Sequence, residues 1–479
     1  MAMTTNAQRN NVALPAIACR YLSEPLLAFG DGGMHIDPKT GIAQYGPRSY
    51  MPEKRHPSTV RVGFIGTAET VEKAKRWLEL NSLGIAGDSK HPEFPGFRRD
   101  RGFFSDLVYD DAWIELIRQS ELTDLFAIRS KRTRFERLVE LLDAKLRLLA
   151  EQDRAPEYVV IGLTSELERD CGGVDYVDKT RGAVHRDLRR AIKAMAMKHR
   201  LPTQLLRQPT MEGLDKDHPS KIAWNFFTGL YFKAGGIPWA PVGLAPATCY
   251  VGISFYHPLG SRTSNVQTSL VQAFDEHGDG LVLRGHDFEW DAKAERSKAP
   301  HLNEEQAAQL IKLVLDRYEA ELHQPPTRVV IHKSSQYWPK EREGFQAALR
   351  GRVAMYDLVA LSLQSTARLI TLSKYPPLRG TWFEVGDLDY LYTTGFIAEL
   401  GEFHGMHVPA PIQLSDHVGQ DTSRETLLRE ILLLSKMNWN SARLGGRLPI
   451  TLRFAEVVGE ILREVPPDRD PRPQFKYYM

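Results

Sequence analysis

Arg189 and Lys193 stand four residues apart in "VHRDLRRAIKAMAMKHRLPTQLLR", a spacing that sets two cations side by side on a helix. Pro202 stops that helix, and Gln204 follows with an amide that can donate to an anionic oxygen. Lys233 closes the apolar run "SKIAWNFFTGLYFK" just before Gly235 and Gly236, where a lysine needs a partner or a route to water. Three cations and an amide form a donor set suited to a terminal phosphate, whose two negative charges call for several converging donors. The plainer readings are a solvated face for the first pair and a snorkelling side chain for Lys233. A different chemistry could come from Asp287 and Glu289 of "HDFEW" with His332 as a metal site; in the plainer reading these carboxylates end a strand in solvent.

The elements that must position these groups follow from pattern. "TVRVGFIG" is a β-branched run ending in glycine, and "TAETVEKAKRWLEL" behind it begins with a Thr-x-x-Thr start and helical spacing. The unit recurs at "EYVVIGLTSEL", preceded by the helical "RFERLVELLDAKLRLLAEQ", and the alternation predicts a Rossmann-like α/β domain over 59–236. Within the basic segment Val184, Leu188, Ile192 and Met195 are expected on one buried helix face. The residues up to 58 read as an extended lead-in rich in turn signals; their glycines near Gly30 neither follow a clear strand nor open a helix, as a phosphate loop would.

After residue 236 the pattern changes. "CYVGISFY", "VQTSLVQAF" and "LVLRGHDF", with a turn at Gly278, Asp279 and Gly280, predict a three-stranded antiparallel meander. A helix follows, opened by an Asn303–Gln306 capping box and carrying Leu310, Ile311, Val314, Leu315 and Tyr318 on one face. Then comes the short strand "TRVVIHKSS". Meander, helix, strand is the order of a ribonuclease-H-like core, whose first strand ends here at Ser254. Two more helices close the chain, one with Thr422 and Glu425 as box partners. In the last, Ala455 and Gly459 lie one turn apart and permit close packing on a sheet.

The 479 residues suffice for two domains plus a leading segment. Apolar content of 42% and charged content of 25% argue against disorder or a fibrous repeat. No apolar run reaches membrane-spanning length, so a soluble, cytoplasmic protein is expected. Three dispersed cysteines argue against a disulfide framework or zinc knuckle. A net charge of +2 selects no partner, because nucleic-acid binding needs a local basic surface.

"KIAWNFFTGLYFKAGGIPW" resembles the segment joining the MID and PIWI domains of Argonaute proteins, and "LSKMNWNSARLGGRLPITLRFAEVVGEIL" is similar to the end of an Argonaute PIWI domain. The resemblance runs from about Thr59 to Met479. It implies a Rossmann-like MID domain (59–236) followed by a ribonuclease-H-like PIWI domain (237–479). In the family MID holds the 5′ phosphate of a guide strand, and Arg189, Lys193, Gln204 and Lys233 match the residue types that do so, in order. Arg189 departs from the aromatic often found first, though a guanidinium can also stack on a base. A Mg2+ ion shared between the phosphate and the C-terminal carboxylate of Met479 is implied too; no NAD is expected on this chain.

Active PIWI domains hold metal ions with carboxylates, where this chain has Ser254, Ser334 and, late in the sequence, Asn440. Neutral groups hold divalent ions far more weakly, so a domain that binds without cutting is expected. Lacking room for N and PAZ domains before residue 59, the chain resembles a short prokaryotic Argonaute. That implies a guide RNA, a complementary single-stranded DNA target and a separate APAZ-containing effector in a defence system. A sirtuin-like, NAD-depleting effector is expected first, with a TIR-like or nuclease effector next. Two other readings stand beside it: a guided nuclease with a non-standard metal site, and a scaffold that holds its partner without nucleic acid.

Overall fold

A computed structural model describes residues 17–51, 55–179, 182–256, 265–274, 280–289, 300–401, 403, 408–419, 421–465 and 471–479. The first domain is built on parallel strands. β2 (Thr59–Gly66) lies at the centre, flanked on one side by β5 (Tyr158–Leu163) and β6 (Thr203–Arg207), and on the other by β3 (Asp106–Val108) and β4 (Ile114–Leu116), all parallel. Every residue of β5 is buried, which is why "YVVIGL" is continuously apolar and shows no alternation. Helices cover this sheet: α1 (Ala68–Ser82), whose cap Thr67 accepts from the Thr70 amide, α2 (Lys131–Ala150) and α3 (Leu188–His199). α4 (Pro219–Lys233) leads out of the domain.

The second domain is a nine-stranded mixed sheet. Its middle holds parallel β7 (Thr248–Tyr256), β10 (Arg328–Lys333) and β11 (Met355–Ser362). β8 (Asn265–Phe274) and β9 (Gly280–Glu289) extend β7 as the expected antiparallel meander; the Gly278 and Asp279 portion of the turn lies outside the described residues. On the other flank run β14 (Ile412–Val418), β13 (Leu388–Leu391) and β12 (Thr381–Val385), and β1 (Cys19–Tyr21) pairs with β12 as the edge. α5 (Glu304–Leu322) and α6 (Pro339–Leu349) pack together on one side. The α5 capping box and its predicted buried face are both present. α7 (Arg424–Leu434) and α8 (Ile450–Leu462) complete the domain.

Several sequence-based expectations need correction. Val184 is buried, but in a hairpin of Gly173–Asp178 and Gly182–Asp187 that precedes α3; the helix begins at Leu188, where the Asp187 carboxylate accepts from the Arg190 amide. The N-cap of α7 is Ser423, one residue later than expected, because the Thr422 hydroxyl donates to Asp357 instead. The leading segment carries a capped helix, Pro38–Tyr45, that contacts Arg101–Gly102 of the first domain, while its earlier residues join the second domain. Besides β1, it contributes Glu24, buried between Arg379 at 2.8 Å and Lys436 at 2.8 Å. Pattern alone hid this, because the segment has no periodicity and takes its order from elements hundreds of residues away.

Two tryptophans fasten the halves. Trp239, just beyond α4, donates from Nε1 to the Lys436 carbonyl (3.1 Å), and Trp439 donates to the Trp239 carbonyl (3.1 Å). The two segments singled out in the sequence therefore meet in one buried contact.

Candidate nucleic-acid interface

Lys193 and Lys233 are both buried and lie close enough for the charge of Lys233 to act on Lys193. α3 supplies Lys193 from its second turn, and the strand that starts after Pro202 supplies Gln204; α4 brings in Lys233 as its last residue. Lys233 is 1% exposed, and its Nζ donates to the Thr203 carbonyl (3.1 Å) and to Gln204 Oε1 (2.7 Å). Gln204 is thereby oriented with its oxygen on the lysine. Lys193 is 5% exposed, and its Nζ has no hydrogen-bond partner. The snorkelling reading fails for Lys233 and the solvated-face reading fails for Lys193, since neither ammonium reaches water, whereas Arg189 is exposed.

Burial, followed by the charges of Lys233 and Arg189, holds Lys193 well below the usual lysine pKa. Lys233 is lowered in the same way, by burial and then by Arg189. No carboxylate offsets either group. A buried, unpaired ammonium is costly in a folded protein, and the pocket meets that cost with no anion of its own among the described residues. Arg189 differs: it is exposed and makes no ion pair among the described residues, while its charge acts on both lysines.

Tyr158, first residue of β5, was not singled out by sequence reasoning. Lys233 Nζ lies over its ring at 5.6 Å, and its buried hydroxyl has no hydrogen-bond partner. A tyrosine heading an otherwise aliphatic buried strand was the available signal.

The chain's last residues close this region. The turn Phe475–Tyr477 packs against α3 and α4, with Phe475 stacked on Phe454 of α8 at 3.6 Å, and Met479 is 1% exposed. The tail is packed. Next to it, Arg190 pairs with Glu460 (2.8 Å) and Arg186 with Glu464 (2.9 Å), tying α3 and its hairpin to α8.

The second site lies at the carboxyl ends of β7 and β10. Register pairs Gly252 with His332 and Ile253 with Lys333, so Ser254 and Ser334 follow side by side. Pairing with β8 shifts register between Gly252 and Ser254. Ser254 Oγ donates to the Ala455 carbonyl of α8 (2.8 Å), while Ser334 is exposed. α8 approaches so closely that a Cβ at Gly252 would stand 2.2 Å from the Thr451 carbonyl. Asn440 sits elsewhere, in the loop against Gly229 of α4.

The alternative metal site does not assemble. His332 is fully buried, bonded to Thr451 Oγ1 at 2.8 Å, and driven by burial to a pKa of about 3. Asp287 and Glu289 belong to β9, three strand spacings away in the order β10-β7-β8-β9, or ~14 Å.

The chain matches no family model and no curated protein at a significant level. Solved structures do resemble it. The Argonaute of Clostridium butyricum, bound to a guide DNA and a 19-mer target DNA, superposes with a TM-score of 0.69 at 16% identity, covering 96% of this chain and 55% of that one. The fold is an Argonaute fold. The A. aeolicus Argonaute gives 0.59 at 14% identity over 95% and 54% of the two chains, and Aa-Ago with externally bound siRNA gives 0.59 at 14% over 96% and 56%. This chain thus spans about half the length of the Argonautes it matches. The parallel-sheet domain is MID-like and the mixed sheet is the ribonuclease-H-like, PIWI-type domain. No helix among the described residues is long and apolar enough to cross a membrane.

Proposed function

We propose that this chain anchors the 5′ phosphate of a short guide RNA at Arg189, Lys193, Gln204 and Lys233 and presents the guide for pairing with complementary single-stranded DNA. The observation that carries this reading is the buried Lys193 ammonium with no partner, flanked by two further cations. A phosphate entering past Arg189 supplies the missing negative charge and converts an electrostatic cost into charge-assisted hydrogen bonds. The solved Argonaute with a guide DNA and target DNA supports a nucleic-acid ligand of this kind.

A divalent cation fits the pocket in one way. The cations and amide suit the phosphate, and the main-chain carboxylate of the buried Met479 would be the second anionic ligand, as the resemblance implies. Mg2+ would be held by Met479 and the guide phosphate, and would supply charge neutralisation there.

The PIWI-type domain binds without cutting in this reading. Ser254 and Ser334 offer neutral oxygens where a metal pair needs carboxylates, and Ser254 already donates to α8. Target pairing then acts through differential affinity, the duplex favouring one conformation. A separate APAZ-containing effector, sirtuin-like and NAD-depleting, carries out the chemistry; this part of the proposal follows from the resemblance to short prokaryotic Argonautes, with a role in defence.

The test compares one RNA sequence bearing either a 5′ phosphate or a 5′ hydroxyl, each titrated against the purified chain. A preference of at least tenfold for the phosphate is expected, with steep weakening by salt. Equal affinities would remove the pocket's assigned role, and guided cleavage by the chain alone would refute the binding-only reading.

A further inference from the structure

Outside the guide pocket, the loop between α1 and β3 meets the start of α4 in a cluster of Asp88, His91 and His218 whose donor atoms all lie within 4.8 Å of one another. The loop is fixed at its base by paired backbone bonds between Ile85 and Phe94, both 2.9 Å. At its tip Asp88 Oδ1 accepts from the Lys90 and His91 amides, each at 2.7 Å, which sets the carboxylate's orientation. His91 Nδ1 lies 2.9 Å from Asp88 Oδ1, and His218 Nε2 lies 3.8 Å from Asp88 Oδ2. The two imidazoles are parallel, 4.6 Å between centroids, with both edges turned to the one carboxylate. All three side chains are partly exposed, which leaves an entry path and a free position for water.

We infer that Asp88, His91 and His218 form a binding site for a zinc ion. Two imidazole nitrogens and one carboxylate are borderline ligands that favour zinc over magnesium or calcium, which take oxygen. Bond lengths of about 2.0–2.1 Å in a tetrahedron put neighbouring donors about 3.3 Å apart, a spacing that fits inside the 4.8 Å span already holding one donor atom from each of the three side chains. A supporting contact is in place as well. His218 Nδ1 lies 3.0 Å from Ser220 Oγ; a proton on Nδ1 given to that hydroxyl leaves the Nε2 lone pair for the metal. The bond that Nδ1 now accepts from the Ser220 amide, 3.2 Å, is the contact that binding would exchange. The ion would clamp the loop to the first turn of α4, the helix whose last residue is Lys233, and so would brace the guide pocket from about 21 Å away.

The experiment uses the whole chain, stripped with a chelator and titrated with zinc chloride against a chromophoric competitor. Cobalt(II) serves as a spectroscopic stand-in. One zinc per chain is expected, with a tetrahedral cobalt spectrum and a raised melting temperature. His91→Ala and His218→Asn should each weaken binding at least tenfold; Asn at 218 keeps a side chain able to cap the helix, and circular dichroism confirms folding. No stoichiometric zinc in the unmodified chain, a loss below tenfold in either folded variant, or equal competition by magnesium would overturn the assignment.

Discussion

Lys193→Met separates a binding role from a structural one, because the two predict opposite signs for stability. In the free protein the Lys193 ammonium is buried, lacks a hydrogen-bond partner and lies near two other cations. Replacing it by an apolar side chain of similar length removes that cost, so the free chain should gain about 1–3 kcal/mol, the penalty of a buried donor left unsatisfied. At roughly 2–4 °C per kcal/mol for domains of this size, thermal scanning should show the midpoint rising by several degrees. Guide binding should move the other way. Losing one charge-assisted bond to the phosphate costs about 1.5–3 kcal/mol, or roughly 10- to 150-fold in affinity, for a 5′-phosphorylated guide and not for its 5′-hydroxyl counterpart. A variant that is less stable and binds both guides equally less well would refute the reasoning, since Lys193 would then be a satisfied structural group.

The pocket also predicts a pH dependence. Lys193 and Lys233 have folded pKa values below their unfolded ones, so between the two the unfolded chain binds more protons and stability rises with pH up to about 10.4; chemical denaturation across pH should show this rise and its flattening when guide is bound. Phosphate binding should likewise take up protons, measurable by calorimetry in buffers of different ionisation enthalpy. Glu24→Gln leaves Arg379 and Lys436 buried without their carboxylate and should cost about 3–5 kcal/mol in denaturant titration. Burial would raise the Glu24 pKa, but Arg379 and Lys436 outweigh it and hold it low, so its contribution is present above the unfolded carboxylate pKa and is lost as acid passes the folded one. Ser254→Asp should destabilise the chain by about 1–3 kcal/mol, by facing a carboxylate to the Ala455 carbonyl, and should give no guided cleavage in Mg2+ or Mn2+.

Elements that stabilise themselves locally were legible in the sequence. The Asn303–Gln306 box, the apolar face of α5 and the strand-helix units at Thr59 and Tyr158 all use short-range rules. The four pocket residues were legible as types, but not as a pocket, because burial of Lys193 depends on α4 and the tail arriving from distant parts of the chain. The same limit hid Glu24, whose partners lie more than 350 residues away. Val184 went astray for a local reason: its spacing from Leu188 fits a helix, yet Asp187 caps the helix between them. Thr422 went astray for a distant one, since its hydroxyl is taken by Asp357 on β11.

The lack of carboxylates at the strand ends is matched by the packing around them. α8 lies against β7 with the Thr451 carbonyl where any side chain at position 252 would project, the Ala455 carbonyl receives the Ser254 hydroxyl, and Thr451 Oγ1 engages the buried His332. Each contact suits small or neutral groups. A carboxylate at 254 would meet a carbonyl oxygen in place of a donor, so a metal pair would need α8 to withdraw as well as two new acidic residues. That helix is not free to do so: Glu460 near its end and Glu464 just beyond it pair with Arg190 and Arg186, and Phe454 stacks on the tail at Phe475. The helix that seals the degenerate strand ends therefore also forms one wall of the guide pocket's surroundings. Exchanging serines for aspartates at the strand ends should disturb the guide pocket before it restores any chemistry.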